Sequence, residues 1–312
     1  MTMATVIVHT AGLLTTVQDK GRYGYQRFGM PVSGAMDVFS LELANLLVGN
    51  DPGDACLEAT VSGPELEFTG ATWIAITGAD MDPHLNGQGI PMNTAIDARP
   101  GDRLGFRGLR SGCRAYIAFA GGIAVAPVMG SRSTYLRAGI GGFQGRALMP
   151  GDELPLGEPV GKPRLKKIPE GLIPEYKHEQ TIRIISGPEA HYFEIAGLRS
   201  FLSTEYTVTA QSDRMGYRLS GEPIRHKEGM TNIISAGIFL GTVQVPGDGQ
   251  PIILMADRQT SGGYARIANV ITVDLTLLAQ MRPGDRILLQ EITLDIAQQV
   301  CISKQHASLG LR

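Results

Sequence analysis

Three times this chain sets proline, glycine and aspartate ahead of a strand: Pro100-Gly101-Asp102-Arg103-Leu104, Pro150-Gly151-Asp152-Glu153-Leu154 and Pro283-Gly284-Asp285-Arg286-Ile287. Proline presets the second position of a turn and glycine supplies the positive φ of the third, so each copy reverses the chain and restarts it extended. The wider sequence keeps the same grammar. Its 40 glycines fall between short apolar runs and not in a low-complexity tract. Many turns joining short strands predict a mostly-β fold of barrels or sandwiches with few helices.

Strands are expected at Val6-Ile7-Val8, Ala55–Ala59, Thr72–Ile76, Asp102–Phe106 and Arg114–Phe119, with Asn86-Gly87 as a hairpin turn. A second series follows at Thr181–Ile185, Tyr206–Thr209, Ile252–Ala256 and Asp285–Leu289. Asp37 is a plausible N-cap for a helix whose apolar face is Phe39, Leu43, Leu46 and Leu47 and whose stop is Gly49. Such a helix plugs a barrel end or packs on a sheet. Further helices are expected from Pro188 through Ile195, at Asp274–Gln280, and in the tail after Asp295. Between the two series, residues 157–180 carry Lys162, Lys166, Lys167 and Lys177 among prolines with no periodicity, which reads as an exposed linker. The expected domains are therefore 1–158, a first β-barrel; 159–179, the linker; 180–295, a second β-barrel; and 296–312, a tail.

Composition narrows the partners. A net charge of -2 gives no footprint for nucleic acid or an anionic membrane. No apolar run reaches the ~18 residues of a membrane span, and the N-terminus lacks the pattern of a signal peptide. Cys56, Cys113 and Cys301 are far apart with no CxxC, so they read as reduced thiols of a cytoplasmic protein, packed in cores. The six histidines show no ligand spacing, and no metal site is expected among them. The only tryptophan, Trp73, is expected in a core.

The stretch Gly241–Tyr264 reads as a site. An apolar strand delivers Asp257-Arg258-Gln259-Thr260-Ser261 to a rim closed by Gly262-Gly263, and glycines let backbone approach a ligand. Similar polar, glycine-bearing rims follow Val17, Gly130 and Gln211. The run Gly139-Ile140-Gly141-Gly142-Phe143-Gln144-Gly145-Arg146 is neither G-x-G-x-x-G nor a Walker loop, though backbone amides beside Arg132 and Arg146 are candidates to cradle an anion. There is no G-x-S-x-G elbow and no lysine beside Ser131 or Ser133 to activate a serine.

Six motifs, in order, carry a resemblance: Gly12–Asp19, Ser33-Gly34-Ala35-Met36-Asp37, Gly130–Tyr135, Ser212–Tyr217, Gln244-Val245-Pro246 and Asp257–Tyr264. Together they resemble the family called allophanate hydrolase subunit 2, which includes the C subunit of bacterial 5-oxoprolinase. It also includes an antagonist of a sporulation-kinase inhibitor and half of the carboxyltransferase region of urea carboxylase. The resemblance runs from about residue 6 to about 292; Thr260-Ser261 stands where many relatives have two threonines. It implies tandem cyclophilin-like β-barrels, a B subunit as close partner, and a lactam-hydrolysing A subunit. The implied reaction converts 5-oxoproline to L-glutamate at the expense of ATP, with Mg²⁺ accompanying ATP as co-substrate. No Ala-Met-Lys-Met biotinylation motif is present, so biotin enters only as a substrate carried by another chain.

A lactam resists attack because its nitrogen donates into the carbonyl, and phosphorylating the oxygen removes that resistance. Such a step needs arginines and a divalent metal more than covalent catalysis. Asp257, Gln259, Asp213 and Arg214 are the candidate catalytic residues. Gln18, Asp19, Arg22, Arg132, Ser133, Gln244, Thr260, Gly262 and Gly263 are the candidate substrate- or anion-binding residues, with Arg146 and Arg258 as further anion candidates. Each glutamine offers one donor and one acceptor, which suits an amide or ureido edge. An aspartate beside an arginine in a turn is equally explained by a local ion pair or an Asx-turn. A carboxyltransferase half acting on carboxybiotin and a urea-like amide, and a regulatory partner without catalysis, remain alternatives.

Overall fold

The computed structural model describes residues 4–309 apart from 160, 162 and 164. The chain forms two compact units: the first takes residues up to Tyr23 and Ser33–Pro174, the second Gly24–Val32 and the chain from Glu175. The fold is mostly β with four helices among the described residues, as the turn-and-strand grammar predicts.

The strands of the first unit are β1 (Thr5–Thr10), β2 (Leu14–Gln18), β3 (Cys56–Thr60), β4 (Glu65–Phe68), β5 (Thr72–Asp80), β6 (Pro83–Leu85), β7 (Gln88–Gly89), β8 (Ala95–Ala98), β9 (Arg103–Phe106), β10 (Ser111–Phe119) and β11 (Glu153–Pro155). They make a six-stranded sheet ordered β11-β1-β4-β9-β6-β7 and a five-stranded sheet ordered β2-β3-β10-β5-β8. Val6, Val8, Leu66 and Leu104 of the first sheet meet Leu57, Ile74, Ile76, Ala115, Ile117 and Phe119 of the second in one core. Strand β10 is buried on both faces because the alternate residues Tyr116 and Ala118 pack under helix α1 (Val38–Val48) with Leu41, Ala44 and Leu47. Asp37 caps α1 by accepting from Ser40 N at 3.1 Å, and Gly49 ends it at φ 79. The helix packs on a sheet.

All three Pro-Gly-Asp copies fold alike. Gly101, Gly151 and Gly284 hold φ 86, 90 and 94. In each, the aspartate amide donates to the carbonyl three residues back, and its carboxylate accepts from that residue's amide: Arg99 at 2.7 Å, Met149 at 2.8 Å and Arg282 at 2.8 Å. Asn86-Gly87 forms the β6–β7 hairpin with φ 54 and 77.

The segment expected to be an exposed linker is packed instead. Lys166 O accepts from Ala95 N, Ile168 N donates to Asn93 O, and Ile168 is 1% exposed. Leu165, Leu172 and Ile173 pack beside it against the α1 layer, so the first unit reaches Pro174 and not residue 158. The lysines hide four apolar residues in the same stretch, and these decide the packing. Lys162 lies outside the described residues.

The second unit contains β12 (Glu179–Ser186), α2 (Ile195–Ser203), β13 (Glu205–Val208), β14 (Gly216–Ser220), β15 (Asn232–Gly237), β16 (Thr242–Val245), β17 (Ile252–Leu254), β18 (Ser261–Val270), α3 (Leu275–Ala279), β19 (Arg286–Glu291) and α4 (Leu294–Leu309). Seven strands in the order β12-β19-β13-β14-β17-β16-β18 close into a barrel through β18–β12 pairing, and β15 is appended to β18. Alternate residues Ile182, Ile184, Tyr206, Val208, Tyr217, Leu219, Val243, Val245, Ile287 and Leu289 are buried, as a strand period of two requires. The helix expected from Pro188 begins later: a 3-10 turn at Ala190–Tyr192 precedes α2. The tail is helical through α4. Cys56 and Cys113 are buried and Cys301 is half-buried.

Candidate functional site

Each unit gathers a set of the residues singled out above. In the first, the end of β2 runs beside the segment 131–134, held by Thr134 N and Thr134 Oγ1 donating to Val17 O, each at 2.9 Å. Asp19 is 9% exposed and anchors this segment. Its Oδ1 accepts from Gly21 N and Ser131 Oγ, both at 2.7 Å, and its Oδ2 accepts from Arg132 N at 2.5 Å. A carboxylate accepting three such bonds is a fixed acceptor. Ser131 and Ser133 are 1% and 0% exposed, with their hydroxyls 2.8 Å apart. Buried and engaged with each other, they are tied into the hydrogen bonds that hold this segment.

Gln18 is fully buried. Its Nε2 donates to Thr16 Oγ1 at 3.0 Å and to Thr134 O at 3.2 Å, while its Oε1 has no hydrogen-bond partner among the described residues. A buried amide oxygen left without a donor costs about 1–3 kcal/mol, and a ligand N–H can recover it. Arg22, fully buried, donates through Nη2 to Ser133 O. Arg132 donates through Nε to Val125 O at 2.9 Å, and its half-exposed guanidinium keeps its Nη groups free of hydrogen bonds among the described residues.

The glycine-rich loop folds onto this segment. A Cβ on Gly142 would lie 1.8 Å from Thr134 Oγ1, and one on Gly141 2.1 Å from Ser133 O. Only glycine tolerates that approach at φ 69 (Gly141) and 55 (Gly142). The loop borders a cavity of about 340 Å³ with Val125, Ala126 and Phe143. The anion cradle expected here is largely spent: the amides of Gly139, Ile140, Gly142, Gly145 and Arg146 donate to nearby carbonyls. Arg146 grips Asp152 at 2.7 Å through both Nη atoms, which holds the Asp152 carboxyl below its ordinary range.

A buried network that the motifs do not announce supports the same region. Glu58, 1% exposed, accepts at Oε2 from Met36 N at 2.8 Å and Tyr116 Oη at 2.7 Å; Tyr116 Oη accepts from Asp37 N at 2.8 Å. Arg114 Nε lies 4.0 Å from Glu58 Oε1. Burial, then the Glu58 charge, pushes the Tyr116 hydroxyl well above its ordinary range, so it stays neutral. The Ser33–Asp37 segment is thereby pinned, with Ala35 N donating to Asp19 O and Ser33 Oγ to Thr134 O. The available signal is Glu58 standing as the one charge in an apolar strand.

In the second unit, Arg214 and Asp257 form a two-pronged ion pair at 2.9 and 3.1 Å, with side chains 8% and 7% exposed. Asp257 N also donates to Arg214 O at 2.8 Å. Asp257 is thus the counter-ion of Arg214. Asp213 is exposed and accepts from Met215 N at 2.8 Å and Gly216 N at 3.2 Å, an Asx-turn. Gln244, 1% exposed, donates to Tyr264 O at 3.3 Å. Gly262 makes room for it, since a Cβ there would stand 2.9 Å from Gln244 Nε2. Gln259, Thr260 and Gly263 are half-buried, and Arg258 donates to Met255 O at 3.2 Å. Among the described residues no three His, Cys, Asp or Glu side chains come together to hold a metal. No helix of the described residues is long and apolar enough to cross a membrane.

The closed barrel, the two-sheet unit and the motif order define the class: residues 28–291 match the carboxyltransferase domain, subdomains A and B, and the chain belongs to that family. Among individual proteins, it is 40% identical to the C subunit of Escherichia coli 5-oxoprolinase over 92% of this chain and 91% of that one. It is 35% identical to the C subunit of Haemophilus influenzae 5-oxoprolinase over 91% of this chain and 90% of that one. The crystal structure of K. lactis urea amidolyase superimposes with a TM-score of 0.94 at 31% identity, covering 99% of this chain and 20% of that chain.

Proposed function

We propose that this chain is the C subunit of an ATP-dependent 5-oxoprolinase, acting with the B and A subunits to open 5-oxo-L-proline to L-glutamate. The observation that carries this reading is the end-to-end likeness to two 5-oxoprolinase C subunits, at 40% and 35% identity over about nine-tenths of each, whereas this chain matches only a fifth of urea amidolyase. The geometry is consistent with it. Gln18 Oε1 is a buried acceptor without a donor among the described residues, suited to a lactam N–H. The half-exposed Arg132 would meet a carboxylate or a transferring phosphoryl group through its Nη atoms, and Mg²⁺ arriving with ATP would supply further charge stabilisation. Transfer of the γ-phosphoryl group from ATP to the lactam oxygen makes the ring carbon open to water; the C–N bond breaks as the nitrogen takes a proton, and a second water hydrolyses the resulting acyl phosphate to glutamate and inorganic phosphate.

The test mixes this chain with its B and A partners and follows 5-oxoproline-dependent ADP release and glutamate formation. Both are expected to require this chain; unchanged rates without it would refute the proposal. Gln18→Leu is expected to cut kcat/KM about 10- to 100-fold, the loss of one buried hydrogen bond worth ~1.5–3 kcal/mol. The same variant removes the unsatisfied carbonyl together with the Nε2 bonds to Thr16 Oγ1 and Thr134 O, so a thermal melt is run beside the kinetics to separate lost binding from lost stability.

The carboxyltransferase family and the urea amidolyase superposition favour one second reading, transfer from carboxybiotin carried by another chain to a urea-like amide. An arm supplying carboxybiotin carrier and urea, and monitoring carboxylated product, separates the two.

A further inference from the structure

The outer face of the six-stranded sheet carries a second cavity, of about 410 Å³, bordered by His84, Asn86, Arg103, Gly105, Phe106 and Arg107. Strand alternation builds it. Leu104 points to the core, so Arg103 and Gly105 share the outer face of β9, and Arg107 follows at the same phase just past its end. His84 on β6 stands opposite Gly105 on one side and Gly89 on the other. Two glycine neighbours leave the imidazole uncovered by side chains: a Cβ on Gly105 would touch nothing within 4 Å, and one on Gly89 would come only to 3.7 Å from His84 Nε2.

His84 is nonetheless recessed, at 8% exposure. Its Nδ1 donates to Asp82 O at 2.8 Å and lies 3.7 Å from Asp82 Oδ1, so the ring nitrogen not engaged by this turn is Nε2. Nε2 has no hydrogen-bond partner among the described residues. The charges nearby are mostly spent. Arg103 holds Glu67 at 2.9 and 3.1 Å with Glu65 at 3.7 Å, and His9 also meets Glu67 at 2.8 Å. Arg107 is different. It donates to Gly87 O at 3.0 Å and has no carboxylate partner among the described residues.

We infer that this cavity is a binding site for a small carboxylic acid that also bears an N–H group, an amino acid or a lactam acid. The carboxylate meets the Arg107 fork, and the N–H donates to His84 Nε2. An acid without the N–H leaves the recessed imidazole nitrogen unpaired and is rejected accordingly.

The experiment is calorimetric titration of the full chain with 5-oxo-L-proline, L-glutamate and acetate. It is run in a Gln18→Leu background, so that binding at Gln18 does not contribute and failure of either idea is seen separately. At least one N–H acid is expected to bind saturably, with acetate at least tenfold weaker. Arg107→Gln and Gly105→Val are each expected to weaken binding at least tenfold with an unchanged thermal melt. The first is an exposed change, and the second grows only into the cavity. Absence of saturable binding by both N–H acids, acetate binding as tightly, or affinity that survives in either variant overturns the inference.

Discussion

Asp257→Ala is the variant that motif reasoning would choose to silence catalysis, and the structure gives it a different first effect. Arg214 and Asp257 are both under 10% exposed and joined by two charge-assisted hydrogen bonds. Removing the carboxylate takes from the buried Arg214 guanidinium the two charge-assisted bonds that Asp257 supplies, a loss of about 3–5 kcal/mol. Against a whole-protein stability of ~5–15 kcal/mol this is a large fraction. At ~2–4 °C per kcal/mol for a domain of this size, the second unit should melt about 10 °C lower. The assay is circular dichroism on heating and in urea, beside turnover in the reconstituted complex. Lost turnover in this variant alone therefore says nothing about chemistry. The double variant Arg214→Met with Asp257→Leu replaces the pair by apolar side chains, and is expected to regain the wild-type melt. Its turnover then reports the chemical role of the pair free of unfolding. A melt for Asp257→Ala within ~2 °C of wild type would refute the reasoning, because the pair would then be worth no more than an exposed one.

Two further predictions concern the loop and the acid limb of stability. Gly142→Ala places a Cβ against Thr134 Oγ1 at a positive φ, so the loop must leave the 131–134 segment; a loss of more than ~1 kcal/mol by urea unfolding is expected, and an unchanged midpoint would show the loop free to move. The Arg266 side chain, then burial acting the other way, leaves the Glu189 carboxyl below its ordinary 4.5, and Arg146 does the same to Asp152 below 3.8. A depressed folded value stabilises above the unfolded one and is lost as pH falls through the folded one. Stability should therefore decline below about pH 4.5, and Glu189→Gln should flatten that decline in pH-dependent unfolding; an identical slope would remove this pair as a cause.

The turns are the most legible part of the fold, because Pro-Gly-Asp and Asn-Gly specify φ locally and need no knowledge of distant contacts. The pairing that closes the barrel is not legible, since β12 meets β18 and β19 across long separations that no local pattern encodes. The 157–180 stretch misleads for a related reason. Its lysines and prolines are a local signal, while the burial of Ile168 depends on backbone pairing with residues 93–95 and on the distant α1 layer it packs against. In the candidate site, residue types are legible and their commitments are not. Aspartates stand out as chemistry, yet Asp213 closes an Asx-turn, Asp257 neutralises Arg214, and Asp19 ties Gly21 to the 131–132 segment.

That distribution of commitments bears on how a ligand is recognised. A charge held in a dry interior must be compensated by the protein itself, so buried carboxylates and guanidinium groups are consumed in building the site. A neutral amide carries no such demand and can wait for its partner at a cost of about 1–3 kcal/mol. Among the arginines named from sequence, Arg146 and Arg214 are tied to carboxylates, and Arg22 and Arg258 donate to backbone carbonyls. Arg132 alone of the five sits half-exposed with Nη groups not engaged in hydrogen bonds among the described residues, near a buried glutamine whose carbonyl lacks a donor there. On the proposed function, specificity for a substrate N–H would rest on Gln18, where a missing donor is penalised by desolvation. On the same proposal, attraction of an anionic group would rest on Arg132, where solvent keeps the cost of a charge without a hydrogen-bonded carboxylate small.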